Sequence, residues 1–251
     1  MSGTEEGHGG PKYSVCLTNY NTIKTLESSL GSILQQLDSR FEVVVVDNLS
    51  SDGSVELLRR LERSGKIRLI EQKCNRGRGR QLAFEDSAGE YIIDQVDLDD
   101  YYKPCMTRLV EFYHKNFEGV MMMTNGFLIA PRGLLQELGG WRSLQWGEDR
   151  DLWDRAASID KLVYVPYESR TYIKPHGSGS FLHRVKYKYE RARDLYVLGR
   201  SPSDGTHFRL SNFPIDAMAY LRSRFMKRYP AAVRRFNKVD HAARGVVFAD
   251  A

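Results

Sequence analysis

The stretch Phe41-Glu42-Val43-Val44-Val45-Val46 constrains the fold more than any other part of the chain. β-Branched residues favour an extended backbone, and four valines in a row send apolar side chains to both faces. A strand apolar on both sides has to lie in a sheet covered on both sides, which is where parallel strands occur. The neighbouring sequence supplies the cover. Residues 13–18 form a short apolar run, and Leu26, Leu30, Ile33, Leu34 and Leu37 follow at helical spacing, with Asn21 or Thr22 as N-cap. Val55, Leu57, Leu58 and Leu61 make a second stripe. A strand over 67–71, a short helix over 81–87 and a strand over 91–96 complete the series. Four strands separated by three helices specify βαβ units, right-handed crossovers and a mostly parallel, Rossmann-like α/β sheet flanked by helices.

Beyond Asp100 the pattern predicts a helix over 107–116, a strand over 119–123 and a helix over 131–138 closed by Gly139-Gly140. A helix over 149–158 and a strand over 162–166 follow. Leu182, Val185, Tyr189, Ala192 and Tyr196 then recur every three or four residues, and Gly199 stops that helix. A last helix runs from Pro214 to before Pro230, with Met218, Leu221 and Phe225 on one side. The 251 residues accommodate such a domain and an appendage, and no apolar run is long enough to span a membrane. Residues 1–11 read as a flexible, glycine-rich tail rather than a signal peptide. Cys16, Cys74 and Cys105 are odd in number and far apart, which suits neither a disulfide framework nor a zinc cluster and points to the reducing cytoplasm. The net charge of +5 is unevenly spread: residues 181–251 carry 15 Lys/Arg against 6 Asp/Glu, and the rest of the chain is mildly acidic. Such asymmetry points to an acidic partner, nucleic acid or anionic lipid.

Ligands of open parallel sheets bind beyond the carboxyl ends of the strands. The first strand here runs into Thr18-Asn19-Tyr20-Asn21 and the second into Asp47-Asn48-Leu49-Ser50-Ser51-Asp52-Gly53. The third runs into Asn75-Arg76-Gly77-Arg78-Gly79-Arg80 and the fourth into Asp97-Leu98-Asp99-Asp100. Any one of these is an ordinary polar loop; four at one edge favour a site. Asp97, Asp99 and Asp100 are hard oxygen ligands that repel one another until a divalent cation such as Mg²⁺ or Mn²⁺ joins them, although an acidic turn is the plainer account. The arginine-glycine stretch suits a diphosphate, or is a surface turn. No G-K-[ST] follows it and no G-x-G-x-x-G occurs, which weakens NTPase and dehydrogenase readings. Glu148-Asp149 precede the apolar Leu152 and Trp153, either as helix-capping acids or as a general base held near the metal.

In order and spacing these motifs resemble the family 2 glycosyltransferases of the GT-A fold, inverting enzymes that use nucleotide-diphosphate sugars. The likeness covers roughly residues 13–155: V-V-D-N-x-S-x-D-G-S over 45–54, N-x-G-x-G over 75–79, A-G-E-Y-I over 88–92, D-x-D-D over 97–100, G-G-W over 139–141 and E-D-x-D-L over 148–152. The resemblance implies a GT-A domain over 12–180 and a basic helical extension over 181–251. It implies a nucleotide-diphosphate sugar, first of all a UDP-sugar, as donor, a saccharide or lipid-linked acceptor, and Mn²⁺ or Mg²⁺. Thr18, Tyr20 and Asp47 are expected at the base and ribose, with Asn19, Asn21, Asn48, Asn75, Gly77 and Leu98 completing the nucleotide-sugar site. Asp97 is expected near ribose or sugar and, with Asp99, at the metal. Asp149 is expected to be the catalytic base, assisted by Glu148. His176 is either a late metal ligand or an exposed loop residue. The family's A-R-N pattern is replaced by Gln81-Leu82-Ala83, so phosphate contact falls to Arg78 or Arg80. Leu17 stands where proline is common, and only about 48 residues separate Asp100 from Glu148, which predicts a shallow acceptor side.

Two rivals stay open on sequence. A nucleotidyltransferase has a similar fold and paired aspartates but should lack Glu148-Asp149. A nucleic-acid-binding module would use the basic tail, which carries no recognised binding motif. The same tail fits an anionic lipid surface at the cytoplasmic face of the membrane, or plain packing on the domain.

Overall fold

The structure, a computed structural model, describes residues 10–173, 181–200 and 213–248. In chain order its elements begin with β1 (Tyr13–Asn19), α1 (Ile23–Leu34), β2 (Phe41–Asp47), α2 (Ser54–Arg63), β3 (Arg68–Glu71), α3 (Arg76–Asp86) and β4 (Tyr91–Asp94). They continue with β5 (Asp100–Tyr102), α4 (Met106–Asn116), β6 (Met121–Asn125), β7 (Phe127–Pro131), α5 (Arg132–Glu137), α6 (Glu148–Ser158), β8 (Leu162–Glu168) and β9 (Arg170–Tyr172). Two helices, α7 (Phe181–Val197) and α8 (Phe213–Ser223), form a C-terminal extension.

Seven strands make one sheet in the order β3-β2-β1-β4-β7-β6-β8. The first four are mutually parallel; β7 runs antiparallel to β4 and β6, and β8 is parallel to β6. Alternation along β2 divides the core as its sequence requires. Val43 and Val45 face a layer with Leu26, Leu30 and Ile33 of α1, Leu58 of α2 and Leu109 of α4. Val44 and Val46 face Phe84 of α3, Leu135 of α5 and Leu152 of α6. With both faces covered, solvent reaches the sheet only at its edges, and the carboxyl ends of β1, β2 and β4 share one of them. β5 and β9 pair as a separate two-stranded ribbon beside that edge.

Three features depart from the sequence-based expectation. The stretch Arg76–Arg80, expected as a loop before a helix over 81–87, is already helical, because the Asn75 side chain accepts the Arg78 amide at 2.9 Å and caps α3. β7 is an antiparallel strand in the middle of the sheet, where periodicity alone gave no element. The β5–β9 ribbon also has no counterpart in the sequence reading, whereas α8 ends at Ser223, before Pro230 as expected. Among the described residues no helix is long and apolar enough to cross a membrane.

Candidate active site

A cleft of about 220 Å³ opens at the carboxyl edge, lined by Thr18, Asn19, Tyr20 and Thr22 from the end of β1, Asn48 after β2, Cys74, Asn75, Arg76 and Gly79 before and within α3, Asp97, Leu98 and Asp99 after β4, and Gln145. The loops are pinned from below by Asp47, which is fully buried. Its carboxylate accepts from Asn19 Nδ2 at 2.6 Å, from the Ser50 amide at 2.7 Å and from the Ser50 hydroxyl at 2.7 Å. Asn48 Oδ1 in turn accepts the Cys74 amide at 2.9 Å, which ties the second loop to the third. Asn21, Leu49 and Gln95 hold left-handed φ values of 53°, 54° and 63°, one in each of the loops after β1, β2 and β4. Side-chain-bearing residues seldom adopt this conformation, and such strain gathers where loop shape serves a ligand.

Asp97, Asp99 and Asp100 bring carboxylate oxygens within 4.8 Å of one another. Arg170, from β9, holds two of them: its Nη1 lies 2.7 Å from Asp100 and 3.1 Å from Asp97. Asp99 makes no salt bridge among the described residues. Burial nevertheless pushes Asp100 up to about 6, with Arg170 pulling the other way. Hard oxygen donors at this spacing, one of them without a cationic partner, fit a divalent cation.

Behind the cleft, Arg80 is the hub of a buried cluster. Its side chain is 5% exposed and pairs with Asp94, which is wholly buried. Its Nε lies 3.3 Å from Asp149 and 3.5 Å from Glu148, and its Nη2 lies 3.6 Å from Asp97. Burial lowers the proton affinity of this guanidinium, but Asp149, Asp97 and Glu148 outweigh it and hold Arg80 above its usual range. Burial and the neighbouring Asp149 charge raise Glu148 to about 7, and burial likewise raises Asp149. Glu148 Oε1 and Asp149 Oδ1 face Arg80 but accept no hydrogen bond among the described residues. Two carboxyls with raised proton affinity and open acceptor atoms are equipped to take up a proton.

The segment before α6 is set by close packing. Gly77 donates its amide to the Leu144 carbonyl at 2.8 Å, and a Cβ at Gly77 would meet Leu144 N at 2.9 Å and collide with the Arg142 carbonyl. On the other side Asp194 of α7, buried, accepts the amides of Gln145 at 2.7 Å and Trp146 at 3.0 Å. Trp146 stacks under the Arg76 guanidinium at 4.9 Å and meets the Tyr187 ring of α7 at 4.4 Å. Further along α6, the buried Asp154 accepts from Arg150, from Arg200 and from the Phe236 amide, while Asp151 pairs with Arg142 and Arg155. Part of the basic excess beyond residue 181 therefore serves the acids of α6.

Of the residues expected at the site, Thr18, Asn19, Tyr20, Asn48, Asn75, Asp97, Leu98 and Asp99 line the cleft, and Glu148 and Asp149 adjoin it through Arg80. Asn21 lies in the loop after β1, and Gly77 faces the 142–144 segment. Asp47 braces the loops from beneath. Arg78, expected at phosphate, pairs with Glu85 at 3.1 Å, and Arg80 is taken up by carboxylates; Arg76 is the α3 arginine on the cleft wall. His176 falls outside the described residues. Sequence reasoning missed Arg170, Arg76 and Asp194. Arg170 could have been found only through the β5–β9 pairing, which juxtaposes it with Asp100 across 70 residues.

Three comparisons bear on this arrangement. The chain is 35% identical over 116 residues to an uncharacterized glycosyltransferase of Nostoc sp., a match covering 44% of this chain and 35% of that relative, so it spans about a third of the relative's length. Staphylococcus aureus TarS 1-349, solved in complex with UDP-GlcNAc, superposes with a TM-score of 0.59 at 18% identity over 85% of this chain and 72% of that one. The mannosyltransferase PcManGT from Pyrobaculum calidifontis, solved with GDP-Man and Mn²⁺, gives 0.60 at 17% identity over 88% and 72%. These structural likenesses establish a shared fold. The family model for glycosyl transferase family 2 matches residues 14–139, half of the chain and all of the sheet edge that carries the cleft, so the protein belongs to glycosyl transferase family 2 and has its GT-A fold.

Proposed function

We propose that this glycosyltransferase moves a sugar, with inversion, from a nucleotide-diphosphate donor to a hydroxyl of a saccharide or lipid-linked acceptor, with Asp149 as general base. The observation that carries the reading is the Arg80 guanidinium: Asp97 on the donor cleft and Asp149 at the head of α6 both lie within 3.6 Å of it. Donor-side and acceptor-side carboxylates thus share one buried cation.

In this reading the nucleotide lies against Thr18, Asn19, Tyr20, Asn21 and Asn48 above the Asp47 brace, and Arg76 faces the diphosphate. Asp97-Leu98-Asp99 is the D-x-D motif, with Asp97 and Asp99 as the carboxylates that would hold Mn²⁺ or Mg²⁺; such an ion would neutralise diphosphate charge. Asp149, whose proton affinity burial has raised, takes the proton of the acceptor hydroxyl. The acceptor oxygen forms a bond to the anomeric carbon as the bond to the diphosphate breaks, and the electron pair leaves with the diphosphate. Glu148 keeps Asp149 and Arg80 in place. A UDP-sugar is the donor we favour; the TarS structure holding UDP-GlcNAc supports a uridine nucleotide, and PcManGT with GDP-Man supports the diphosphate class more broadly. We assign residues 12–180 as the catalytic unit, and the cytoplasm as its place, where cysteines outside disulfides, as Cys16, Cys74 and Cys105 are, stay reduced.

Thermal shift with UDP, GDP, dTDP and CMP, with and without Mn²⁺, tests the donor site. At least one nucleoside diphosphate should stabilise the protein in a metal-dependent way, and Asp99→Ala should abolish the shift. Melting curves that no nucleotide moves would sink the assignment. Asp149→Asn should keep the shift and lose transfer; transfer that survives removes Asp149 as base.

A further inference from the structure

We propose that the outer face of α8 and the turn after it seat on an anionic lipid surface. This does not depend on the donor-site reading, because none of the residues involved touches the cleft. Buried Ala219 and Ser223, with the Tyr220 ring 5.3 Å from Tyr196, mark the side of α8 that packs on α7. Met218, Leu221 and Phe225 recur at three- and four-residue spacing on the opposite side and are 64%, 62% and 84% exposed. The helical path reaches Phe225, whose amide bonds to the Arg222 carbonyl at 3.1 Å. In the body of the protein the most exposed large apolar residue is Tyr20 at 54%, and that one lines the cleft. At the start of α7, Phe181 and Leu182 are also exposed, at 71% and 77%, but they are consecutive, whereas Met218, Leu221 and Phe225 line one face of α8.

The charge next to the stripe selects its partner. Arg222 and Arg224 flank it on either side, and Lys227 and Arg228 follow in the turn. All four are exposed, and none makes a salt bridge with a carboxylate among the described residues. This sets them apart from Arg193, Arg200 and Arg234, which are paired with Asp194, Asp154 and Asp160. Apolar side chains at the centre with cations at the margins match a bilayer interface, where the former enter the acyl boundary and the latter meet anionic headgroups. A nucleic acid would use the cations and leave the stripe in water.

Co-sedimentation of the full chain with phosphatidylcholine vesicles, with and without phosphatidylglycerol, provides the test. Wild type should bind only the anionic vesicles and be released by salt. Each basic side chain near the surface contributes about fivefold to partitioning, so Arg222→Gln/Arg224→Gln/Lys227→Gln together should lower it on the order of a hundredfold. Met218→Ser/Leu221→Ser/Phe225→Ser should lower it by about the same factor while melting close to wild type, since most of each side chain is already in solvent. Absence of binding at low ionic strength overturns the proposal. So does a serine variant that binds as well as wild type, because charge alone would then suffice.

Discussion

Replacing Arg80 by methionine keeps most of the apolar stem and deletes the one cation shared by Asp94, Asp97, Glu148 and Asp149. Asp94 and Glu148 are 0% and 2% exposed, so solvent cannot take over the role of the guanidinium. Removing one partner of a buried ion pair typically costs about 3–5 kcal/mol, and we expect Arg80→Met to lie in that range near pH 8. The pH dependence separates this cause from simple loss of packing. Without Arg80 the buried carboxylates hold protons in the folded state at pH values where the unfolded chain has released them. The folded variant then binds more protons than the unfolded one, and its stability falls as pH rises, by up to about 1.4 kcal/mol per pH unit for each extra proton. The deficit relative to wild type should therefore be small near pH 5 and widen towards pH 8. Urea denaturation of both proteins at matched ionic strength, with a chelator present, measures it. A deficit that is the same at both pH values would assign the loss to packing and refute the electrostatic account of the hub.

Other perturbations probe the same framework. Gly77→Ala should cost more than about 2 kcal/mol in denaturant melts, because the Cβ would collide with the Arg142 carbonyl. Gly31→Ala, in the interior of α1 with nothing within 4 Å of the new methyl, should stabilise by about 0.5–1 kcal/mol. Glu148, raised to about 7, is protonated in the folded chain where the unfolded carboxyl is ionised, so its contribution is full at low pH and is lost as pH rises through 7. Glu148→Gln should flatten the fall of stability with pH over that window, a difference of at most on the order of 3 kcal/mol, read from melting temperature against pH. Asp194→Ala strands the partly buried amides of Gln145 and Trp146 and should cost about 1–3 kcal/mol in guanidinium melts, with a change in tryptophan emission as Trp146 loosens.

The parallel half of the fold was legible because β1, β2 and β4 are apolar on both faces and their intervening helices carry plain apolar stripes. β7 escaped because Phe127–Pro131 is a short apolar run, and periodicity does not separate a short buried strand from a helix fragment. The start of α3 was misread for another reason. Arg-Gly-Arg-Gly-Arg has poor helix propensity, yet the Asn75 cap and the seat of Gly77 against Leu144 override it. The cleft-lining residues could be named because each sits directly after a strand. The engagement of Arg80 could not, since its partners come from the end of β4, the loop beyond it and the start of α6, and only tertiary packing joins them. For the same reason Arg78 and Arg80 looked equivalent in sequence, although one reaches out to Glu85 and the other is enclosed by carboxylates.

The neutralisation of Asp154 by Arg200 and the Phe236 amide bears on the order in which the protein assembles during synthesis. Domains form as their residues leave the ribosome, N-terminal parts first. The residues that line the cleft end at Gln145, and the cation that holds Asp97 and Asp100 is Arg170 of β9, so these strands and loops can settle before the C-terminal helices are made. The acidic helix that carries Asp149 has to wait until Arg200 and Phe236 have emerged. On the proposed roles, a nascent chain would acquire its nucleotide-facing loops before the carboxylate assigned as proton acceptor is fixed.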